Sequence, residues 1–503
     1  MDAEVRKPRV VAFEVTGKCK MKCVHCRASA QADFQNDLTN SQCKQIIKAV
    51  ADYNRCVLIF TGGEPFERTD IFELIDYASS CGLAVSLATC GWDFDVEKAE
   101  RLKKAGVLTL SFSLDSNDAQ THDSFRQMAG AYEKTLAAIE IAKNVGLKFQ
   151  INTTVTKLNA EKLPAIADIA EKLGAYCFNP FMLVPAGRGR ELSKISLSTK
   201  EYDDVLRTVA DLKAKREIDV RFTCAPRFAT VFTQRHPQSK KKVFGCLAAG
   251  DFAFISHAGD VQTCGFLKNS AGNILRAGDF GSVWEKSDFL KAIRQKKFSG
   301  KCGNCDNVQL CGGCRARAFA QTGNYLASDP LCAYMGQVSA LIAAHIDDDK
   351  IAEVAEAVNA LPNVSHNYLR EHYYNLWFTL KSHNVEKIVS DLSEKFKTDF
   401  YSLPSTVRYK LDKLAIKKHN PPETFNALLC FRAGGAAAKY LCDLPQVSHC
   451  YERQTLPNWP YNIYAMIHEC SSARIEEIVA QLVSEFKIKH FQILPTVKSL
   501  KKN

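Results

Sequence analysis

Short apolar runs alternate with helical patterns from residue 9 to about residue 220. Six runs have the length and the continuous apolar character of buried parallel strands: RVVAFEV, CVLIF, LAVSLAT, VLTLSFSL, LKFQINTTV and AYCFNPFMLV. Helical patterns separate these runs, over Leu38–Tyr53, Asp70–Cys81, Val96–Ala105, Tyr132–Val145 and Leu163–Leu173. Six strand–helix units in series predict an α/β fold, a partial TIM-like (β/α)6 barrel over residues 9–220. A doubly wound open sheet is the alternative.

The alternation ends near residue 221, and cysteine and glycine become more frequent up to about residue 345. We therefore expect residues 221–345 to form a Cys-rich domain that is organised by metal rather than by a large core. The chain has 20 cysteines, and its first residues, MDAEVRKPRVVAFEV, lack the apolar segment and cleavage site of a signal peptide. This combination favours reduced thiols in the cytoplasm over a disulfide framework.

The bulk charge excludes some classes of partner. The net charge is +11, but lysine and arginine are spread along the chain and form no basic arm, so we predict no nucleic-acid partner. No apolar stretch approaches the ~18 residues of a membrane span. The positive charge indicates either an ordinary solvated surface or an attraction for an anionic substrate.

An internal repeat occupies residues 350–503, with copies at about 350–415 and 425–503. Four blocks recur in the same order, which makes chance similarity improbable. LPNVSHNY returns as LPQVSHCY, YYNLWFTL as YNIYAMI, VEKIVSDLSEKF as IEEIVAQLVSEF, and SLPSTVRYKL as ILPTVKSLKK. Each copy reads helix, strand, strand, helix, strand, which predicts a tandem α+β domain of two ferredoxin-like units.

Three cysteines, Cys19, Cys23 and Cys26, form a C-x3-C-x2-C motif directly after the first predicted strand. In a parallel barrel this position lies at the carboxyl-terminal rim, where active sites are built. Cuboidal iron–sulfur clusters usually take four thiolates, so three cysteines this close can hold three irons and leave the fourth open. A zinc site is the alternative, although the spacing suits zinc poorly.

A second motif, T-G-G-E-P, follows the second predicted strand and includes Gly62, Gly63, Glu64 and Pro65. Glycines allow close approach of the backbone, and Glu64 can take the ammonium of a ligand. With the cysteine motif, it resembles the radical S-adenosylmethionine (SAM) superfamily over residues 9 to about 220. The resemblance implies a 4Fe-4S cluster whose open iron binds the amino and carboxylate groups of SAM.

The same resemblance implies further contacts to SAM from Ser113, Asp115 and Asn152, which lie at later strand ends, and from Arg188. Ordinary capping of strand ends is the alternative role for the first three. The family often has Thr-Asn-Gly after the third strand. This chain has Thr89-Cys90-Gly91, so position 90 takes no role from the family.

The Cys-rich segment resembles the SPASM or the related twitch extension of radical SAM enzymes, which carries auxiliary clusters. By this resemblance Cys302, Cys305, Cys311 and Cys332 hold one 4Fe-4S cluster. Cys246, Cys264 and Cys314 contribute to a second, together with Cys224. The usual pattern has three residues before the last cysteine of the run and this chain has two, which leaves the ligand grouping open. A zinc ribbon is the alternative.

Segments such as FEVTGKCKMKCVHCRASA, LVPAGRG, ISHAGDVQTCGFL and CGGCRARA resemble the heme b synthases of the siroheme-dependent heme pathway, which are related to the radical SAM enzymes of heme d1 biosynthesis. The resemblance spans residues 9 to about 340. It implies oxidative decarboxylation of the propionates of iron–coproporphyrin III to vinyl groups. Candidates to pair with propionates are Arg188, Arg190, Arg315 and Arg317, because arginine matches carboxylates bidentately. Surface salt bridges are the alternative for these arginines.

The C-terminal repeat resembles siroheme decarboxylase through REHYYNLWFTL and VSHCYERQTLPNWPYNIYAMIHE. This implies decarboxylation without an added cofactor, in which a protonated side chain donates to the carbon that loses carbon dioxide. The candidates are His372, His449, Arg370, Arg453 and Tyr374. Alternatively, His366 and His449 occupy equivalent positions and only cap strands.

Three functions remain open. The first is a radical SAM enzyme of tetrapyrrole biosynthesis, supplied with electrons by a low-potential donor such as ferredoxin or flavodoxin and acting on iron–coproporphyrin III or a siroheme-derived tetrapyrrole. The second is a radical SAM enzyme of peptide maturation. The third is a non-catalytic tetrapyrrole sensor or chaperone. The first accounts for both halves of the chain.

Overall fold

A computed structural model describes residues 5–303, 305–334, 338–382, 384–411, 425–456 and 458–501. The chain divides into two compact units, Met1–Tyr334 and Met335–Asn503, which we call the first and the second unit. Within the described ranges, no helix is both long enough and apolar enough to cross a membrane.

The first unit is an α/β structure around one sheet of ten strands. The strands are β1 (Val10–Glu14), β2 (Val57–Thr61), β3 (Ala84–Thr89), β4 (Thr109–Ser113), β5 (Phe149–Val155), β6 (Cys177–Met182), β7 (Asp219–Val220), β8 (Phe252–Ile255), β9 (Asp260–Gln262) and β10 (Gly272–Asn273). The longer helices are α1 (Asn40–Tyr53), α2 (Ile71–Ser80), α3 (Val96–Lys104), α4 (Ala119–Arg126), α5 (Ala131–Val145), α6 (Leu163–Leu173), α7 (Thr199–Lys215) and α8 (Phe228–Arg235). Shorter helices follow: α9 (Ile274–Ala277), α10 (Phe280–Lys286), α11 (Asp288–Arg294), α12 (Gly300–Gly303) and α13 (Arg315–Thr322).

The strand order confirms the predicted partial barrel. Strands β1 to β6 lie side by side in chain order, and every neighbouring pair is parallel. In a doubly wound sheet the order would reverse at a switch point. The six predicted strands and the five predicted helices are all present, whereas α4 is a helix that the sequence analysis did not identify.

Alternating side chains give the sheet two different faces. Val11, Phe13 and Phe112 are fully buried in the core that the sheet forms with the helices. Because side chains alternate along a strand, Glu14, Ser113 and other polar residues point to the opposite face. A ligand can therefore bind on that polar face of the sheet.

The Cys-rich segment extends the same sheet. Strand β8 pairs in parallel with β1, and β9 and β10 continue from β8. Its apolar residues, among them Ile255, Phe280 and Trp284, belong to the core of the barrel. Residues 221–334 therefore contribute apolar side chains to this core in addition to carrying cysteines. The predicted boundary near residue 220 remains a prediction.

The second unit contains two copies of a β-α-β-β-α-β fold. The first consists of β11 (Val338–Ala344), α14 (Ile351–Ala360), β12 (Val364–Arg370), β13 (Leu376–Ser382), α15 (Val385–Phe396) and β14 (Phe400–Leu411). The second consists of β15 (Phe425–Phe431), α16 (Gly435–Asp443), β16 (Val447–Arg453), β17 (Ile463–Glu469), α17 (Ser472–Phe486) and β18 (Phe491–Ser499). Residues 412–415 and 502–503, at the ends of the two predicted copies, lie outside the described residues.

The strand order confirms the ferredoxin-like prediction and adds one strand to each copy. The sheet orders are β14-β11-β13-β12 and β18-β15-β17-β16, and all pairs are antiparallel. The sequence analysis placed residues 338–344 in the Cys-rich segment, but they form β11, the leading strand of the first copy. Their run of small and apolar residues, VSALIAA, has no alternation that marks a strand.

The two copies join edge to edge into a closed sheet of eight strands, through β12 with β18 and β14 with β16. The helices cover one side of each copy with separate cores. The other side forms a third cluster inside the closed sheet, which includes Trp377, Cys430, Trp459 and Tyr464.

Candidate functional site

The three cysteines of the C-x3-C-x2-C motif lie in one loop after β1, which we call the cysteine loop (Cys19–Cys26). Cys19 and Cys23 are buried and Cys26 is half-buried. Burial raises the pKa of Cys19 to about 12, and the negative charges of Glu64, Cys23 and Cys26 add to this effect. The loop therefore brings three mutually close thiols together, which is the donor set that a cluster with one open iron requires.

The T-G-G-E-P motif packs directly on the cysteine loop. The Gly63 amide donates to the Thr16 carbonyl at 2.7 Å, and the Glu64 amide donates to the Lys18 carbonyl at 2.7 Å. A Cβ atom at Gly63 would lie 2.0 Å from the Lys18 carbonyl oxygen, and one at Gly62 would lie 2.6 Å from that of Thr16. Only glycine allows this approach, as the sequence analysis predicted.

The Glu64 carboxylate is buried beside the end of β3. It accepts hydrogen bonds from the Thr89 hydroxyl at 2.8 Å and from the Cys90 amide at 2.7 Å. Burial raises its pKa. No lysine or arginine forms an ion pair with Glu64 among the residues described, so it fits the predicted role of receiving an ammonium group. Pro65 begins the short 3-10 turn Pro65–Glu67 that follows.

Ser113 and Asn152 lie side by side on the polar face of the sheet. They are paired in register between β4 and β5, and both are half-buried. The Gln150 amide donates to the Asn152 side-chain oxygen at 2.9 Å. Contact of these two residues with SAM stays a prediction.

Asp115, a predicted contact of SAM, is engaged by other groups of the protein. Its carboxylate forms an ion pair with Arg126 at 2.6 Å and accepts from the Thr154 amide at 2.7 Å. Burial alone would raise the pKa of Asp115, but Arg126 holds it below its ordinary value. Arg126 in turn reaches the Cys23 sulfur, with Nη1 at 3.8 Å. Asp115 thus positions Arg126 beside the cysteine loop.

Sequence reasoning missed Arg126 because α4 was not recognised. It also missed His25, which lies between Cys23 and Cys26. The His25 ring stacks on Phe125 with centroids 4.2 Å apart, and burial lowers its pKa to about 3. The Nδ1 atom of His25 is buried and has no hydrogen-bond partner among the described residues. Its place inside the cysteine motif was the one available signal.

Arg188 holds the cysteine loop from the barrel side. Its Nε donates to the Cys23 carbonyl at 2.8 Å and its Nη1 to the Ala30 carbonyl at 2.8 Å. Its Nη2 is buried, and the part of the chain that the structure describes gives it no hydrogen-bond partner. Arg188 thus retains a donor for an anionic group, whereas Arg190 is exposed.

Eight further cysteines form two sets in the first unit. Set A consists of Cys302, Cys305, Cys311 and Cys332, which line one small cavity together with Tyr202 and Arg227. Burial raises the pKa of Cys311 to about 12, with a contribution from the neighbouring Cys332 and Cys302. Glycine is favoured at position 313, because a Cβ atom on residue Gly313 would lie only 3.1 Å from the Cys302 sulfur.

Set B consists of Cys224, Cys246, Cys264 and Cys314. The pKa of Cys224 is raised well above its ordinary value by burial and by the charges of Cys314, Cys264 and Cys246. All twenty cysteines are free thiols. The two sets match the grouping that the resemblance implies, and each offers four thiols to a cluster.

Arg315 and Arg317 connect the two sets and are not available to propionates. Arg317 forms a buried ion pair with Asp329 at 2.8 Å and donates to the Cys224 carbonyl at 2.7 Å. Arg315 donates to the Ala327 carbonyl at 2.5 Å and lies 3.5 Å from the Cys302 sulfur. Asp329 itself accepts from the Cys314 amide at 2.8 Å. Buried arginines need such partners, which sequence alone did not reveal.

Within the described ranges, no three histidine, cysteine or acidic side chains converge on a point that could hold a single metal ion. A zinc ribbon requires four ligands around one ion. A cluster differs because each thiolate binds its own iron, so the thiols need not meet at one point.

In the second unit, Arg370 and Arg453 occupy equivalent buried positions. Arg370 donates to the Leu494 carbonyl at 2.8 Å and to the Thr496 hydroxyl at 3.0 Å. Arg453 donates to the Leu403 carbonyl at 3.0 Å and to the Ser405 hydroxyl at 2.8 Å. Burial lowers the pKa of each to about 10.

The other predicted residues of this unit form two separate groups. The His372 and Tyr374 rings lie within 6 Å of Trp459, at 5.3 and 6.0 Å between centroids. His449 instead faces His366 of the other copy, with centroids 5.9 Å apart. The His449 ring also contacts the Ser448 hydroxyl at 2.8 Å.

Comparison with known proteins assigns both units. The radical SAM superfamily matches residues 13–170, and the AsnC-like ligand binding domain matches residues 335–410 and 425–501. The AdoMet-dependent heme synthase of Methanosarcina barkeri is 39% identical in an alignment of 350 residues that covers 66% of this chain and 99% of that protein.

The chain belongs to the radical SAM family of the AdoMet-dependent heme synthases. The relative from Nitratidesulfovibrio vulgaris is 37% identical over 65% of this chain and 92% of its own length. The structure of SuiB from Streptococcus suis superposes on 65% of this chain and on 77% of the SuiB chain, with 18% sequence identity and a TM-score of 0.52. This similarity shows the fold alone. As a member of the radical SAM superfamily, this chain uses SAM and a 4Fe-4S cluster.

Proposed function

We propose that the first unit oxidatively decarboxylates two propionates of iron–coproporphyrin III to vinyl groups and so forms heme b. The observation that carries this proposal is the cysteine loop at the edge of a polar sheet face, in a unit 39% identical to an AdoMet-dependent heme synthase. In the reaction the β-carbon of a propionate loses one hydrogen atom, after which carbon dioxide and one electron leave. A carbon–carbon double bond remains.

Cys19, Cys23 and Cys26 would hold the 4Fe-4S cluster of this site. When bound and reduced, the cluster supplies the electron that cleaves SAM and starts the radical reaction. Glu64 is placed to accept the ammonium of SAM, because its buried carboxylate lies beside the cysteine loop. The free Nη2 of Arg188 is placed to donate to an anionic group. Ser113 and Asn152 offer hydrogen bonds on the polar face.

Sets A and B would hold two auxiliary 4Fe-4S clusters, which can take up the electron that leaves the substrate. The contribution of this chain is to keep the two sets linked. Asp329 accepts from the amide of Cys314 in set B, and its own amide donates to the Cys302 sulfur in set A at 3.3 Å. A ferredoxin or flavodoxin in the cytoplasm would supply low-potential electrons.

For the second unit we propose binding of the carboxylates of a tetrapyrrole, as in a siroheme decarboxylase-like domain. Arg370 and Arg453 support this, because each is a buried cation without a carboxylate partner among the described residues. His449 and His372 would be the proton donors if this unit also removes carboxyl groups.

The decisive experiment is anaerobic turnover of the full chain after reconstitution of its clusters. SAM, a reductant and iron–coproporphyrin III are added, and mass spectrometry follows the porphyrin and 5′-deoxyadenosine. We expect loss of two carboxyl groups, with one 5′-deoxyadenosine formed for each. Cleavage of SAM with an unchanged porphyrin would contradict the substrate and favour siroheme-derived tetrapyrroles or peptides as the next tests. Porphyrin binding without any SAM cleavage would instead support the sensor or chaperone.

A further inference from the structure

Three charged side chains form a cluster at the ends of β1 and β8, which we call the rim trio (Glu14, Arg27 and His257). Arg27 Nη1 donates to Glu14 Oε2 at 2.9 Å, and His257 Nδ1 lies 3.3 Å from Glu14 Oε1. Glu14 is buried, whereas the side chains of Arg27 and His257 are 18% and 34% exposed. No function described above uses these three residues.

The rim trio faces the ligand-binding side of the sheet. Glu14 is the last residue of β1 and alternates with Phe13, whose side chain packs toward the helices. Its carboxylate therefore points to the same polar face as Ser113 and Asn152. His257 follows β8, which runs parallel to β1, so it lies at the same carboxyl-terminal rim.

The rim trio also lies between two of the cysteine sites. Arg27 directly follows Cys26 of the cysteine loop, and Gly265 directly follows Cys264 of set B. A Cβ atom at Gly265 would lie 3.0 Å from the Arg27 guanidinium, so the two loops meet at this side chain. The flat guanidinium also packs on Phe254, 4.6 Å from the ring centre. A substrate on the polar face would reach Arg27 between the two sites.

The charges of the rim trio do not balance. Glu14 is the one carboxylate that contacts the two bases, whereas the carboxylate of nearby Asp37 accepts from the Thr16 hydroxyl and the Gly17 amide and acts on His257 through its charge alone. The hydrogen bond that His257 makes to Glu14 raises the pKa of His257, and burial opposes this increase. The charges of Glu14 and Asp37 raise the pKa further, whereas the charge of Lys268 lowers it. With His257 protonated, the trio carries one excess positive charge. One additional carboxylate would neutralise it.

We propose that Arg27 and His257, oriented by Glu14, bind a carboxylate of the tetrapyrrole substrate. This inference rests on the proposed function of the first unit. His257 Nδ1 is directed to Glu14, which leaves Nε2 for the ligand, and the described residues provide Nε2 with no other partner. Glu14 is a positioning residue in this arrangement, because it acts through the two cations.

The test compares His257→Gln with the chain that is wild type at this position, in the full, cluster-reconstituted form under anaerobic conditions. Both proteins also carry Arg370→Met and Arg453→Met, because the second unit is itself proposed to bind carboxylates of a tetrapyrrole. The Soret absorbance gives the Kd of iron–coproporphyrin III, which has four carboxylates, and of iron octaethylporphyrin, which has none. We expect His257→Gln to weaken binding of the first about tenfold, as for loss of one charge-assisted hydrogen bond, and to leave the second unchanged. His257→Arg should restore binding to within about threefold.

His236→Gln is the matched control, because His236 also lies beside a carboxylate, 2.9 Å from Asp211, and its side chain is 23% exposed. It should bind both porphyrins as wild type does. Iron content should equal wild type in all variants, and SAM cleavage without porphyrin should equal wild type in His236→Gln. If His257→Gln does not fold, Arg27→Gln must give the same selective loss.

An unchanged Kd for iron–coproporphyrin III in His257→Gln would overturn the inference. An equal loss for both porphyrins would also overturn it, because the residue would then be structural or a ligand of the porphyrin iron. Failure of the proposed function would be distinguishable, because wild type itself would then bind iron–coproporphyrin III without converting it while the selective effect of His257→Gln persists.

Discussion

Buried arginines occur in both units of the molecule, but their charges are compensated in different ways. In the first unit Arg126 is paired with Asp115 and Arg317 with Asp329, and each pair lies beside a cysteine site. In the second unit Arg370 and Arg453 contact only carbonyl and hydroxyl groups and aromatic rings among the described residues.

The difference indicates what each unit does with its charges. A buried cation that is paired with a carboxylate has its charge compensated, and it can fix the position of a neighbouring loop. A buried cation without one retains much of its desolvation cost, which a bound anion would offset. We infer that the first pair of arginines supports the cysteine sites, whereas the second pair is available to an anionic ligand.

The largest effect should come from the cysteine loop that Arg126 supports. Cys19→Ala should abolish SAM cleavage and lower the iron content by one cluster, because two thiols cannot replace the three-thiol site. Iron analysis and 5′-deoxyadenosine measurement test this. Cys43→Ala is the control, since Cys43 is equally buried but lies in α1 within the core, and it should retain both. Residual cleavage in Cys19→Ala would contradict the assignment.

Asp329→Asn should strongly destabilise the first unit. It leaves the Arg317 guanidinium buried and uncompensated, which typically costs about 3–5 kcal/mol. The apparent melting temperature and the iron content both test this. Asp52→Asn removes the carboxylate of an exposed pair with Lys48 and should leave both unchanged. An Asp329→Asn protein as stable as wild type would remove the distinction between the two units.

Arg453→Met should behave in the opposite way in the second unit. No carboxylate is left unpaired by this change, so stability without ligand should stay within about 1 kcal/mol of wild type. The increase in melting temperature caused by a carboxylated tetrapyrrole should disappear. Arg370→Met should act in the same way, because the two positions are equivalent in the repeat. A loss as large as that of Asp329→Asn would show that Arg453 is structural.

The effect expected to be smallest near neutral pH is a pH dependence of stability in the first unit. His122 Nδ1 accepts a hydrogen bond from the Asp115 amide at 3.1 Å. Burial lowers the pKa of His122 from 6.5 to about 4. Between these values the unfolded chain binds a proton that the folded chain does not. Stability should therefore be full above pH 6.5 and fall by up to about 1.4 kcal/mol for each pH unit toward pH 4.

Melting temperatures of wild type and His122→Gln at pH 7 and pH 5.5 test this prediction. The variant keeps an acceptor for the Asp115 amide but cannot titrate, so its change between the two values should be smaller. An identical change in both proteins would contradict the role of His122.

Local patterns were sufficient to predict much of the architecture. The six strands, the cysteine loop, the close glycines of the T-G-G-E-P loop and the ferredoxin-like copies all follow from spacing and periodicity over a few residues. The leading strand of each copy was missed. In the first copy, residues 338–344 carry no alternation that marks a strand. Helix α4 was missed, and with it Arg126.

The sequence by itself determined which chemistry this chain can hold, because ligand spacing within one loop is a local property. The tertiary structure alone decided which charges meet. Asp115 is a plausible SAM contact in the sequence, but Arg126 takes its carboxylate. Arg317 resembles a propionate ligand, but it is buried against Asp329. Glu14, Arg27 and His257 are up to 243 residues apart and meet only because β8 pairs with β1. Burial makes such partners necessary, and burial is a property of the folded chain.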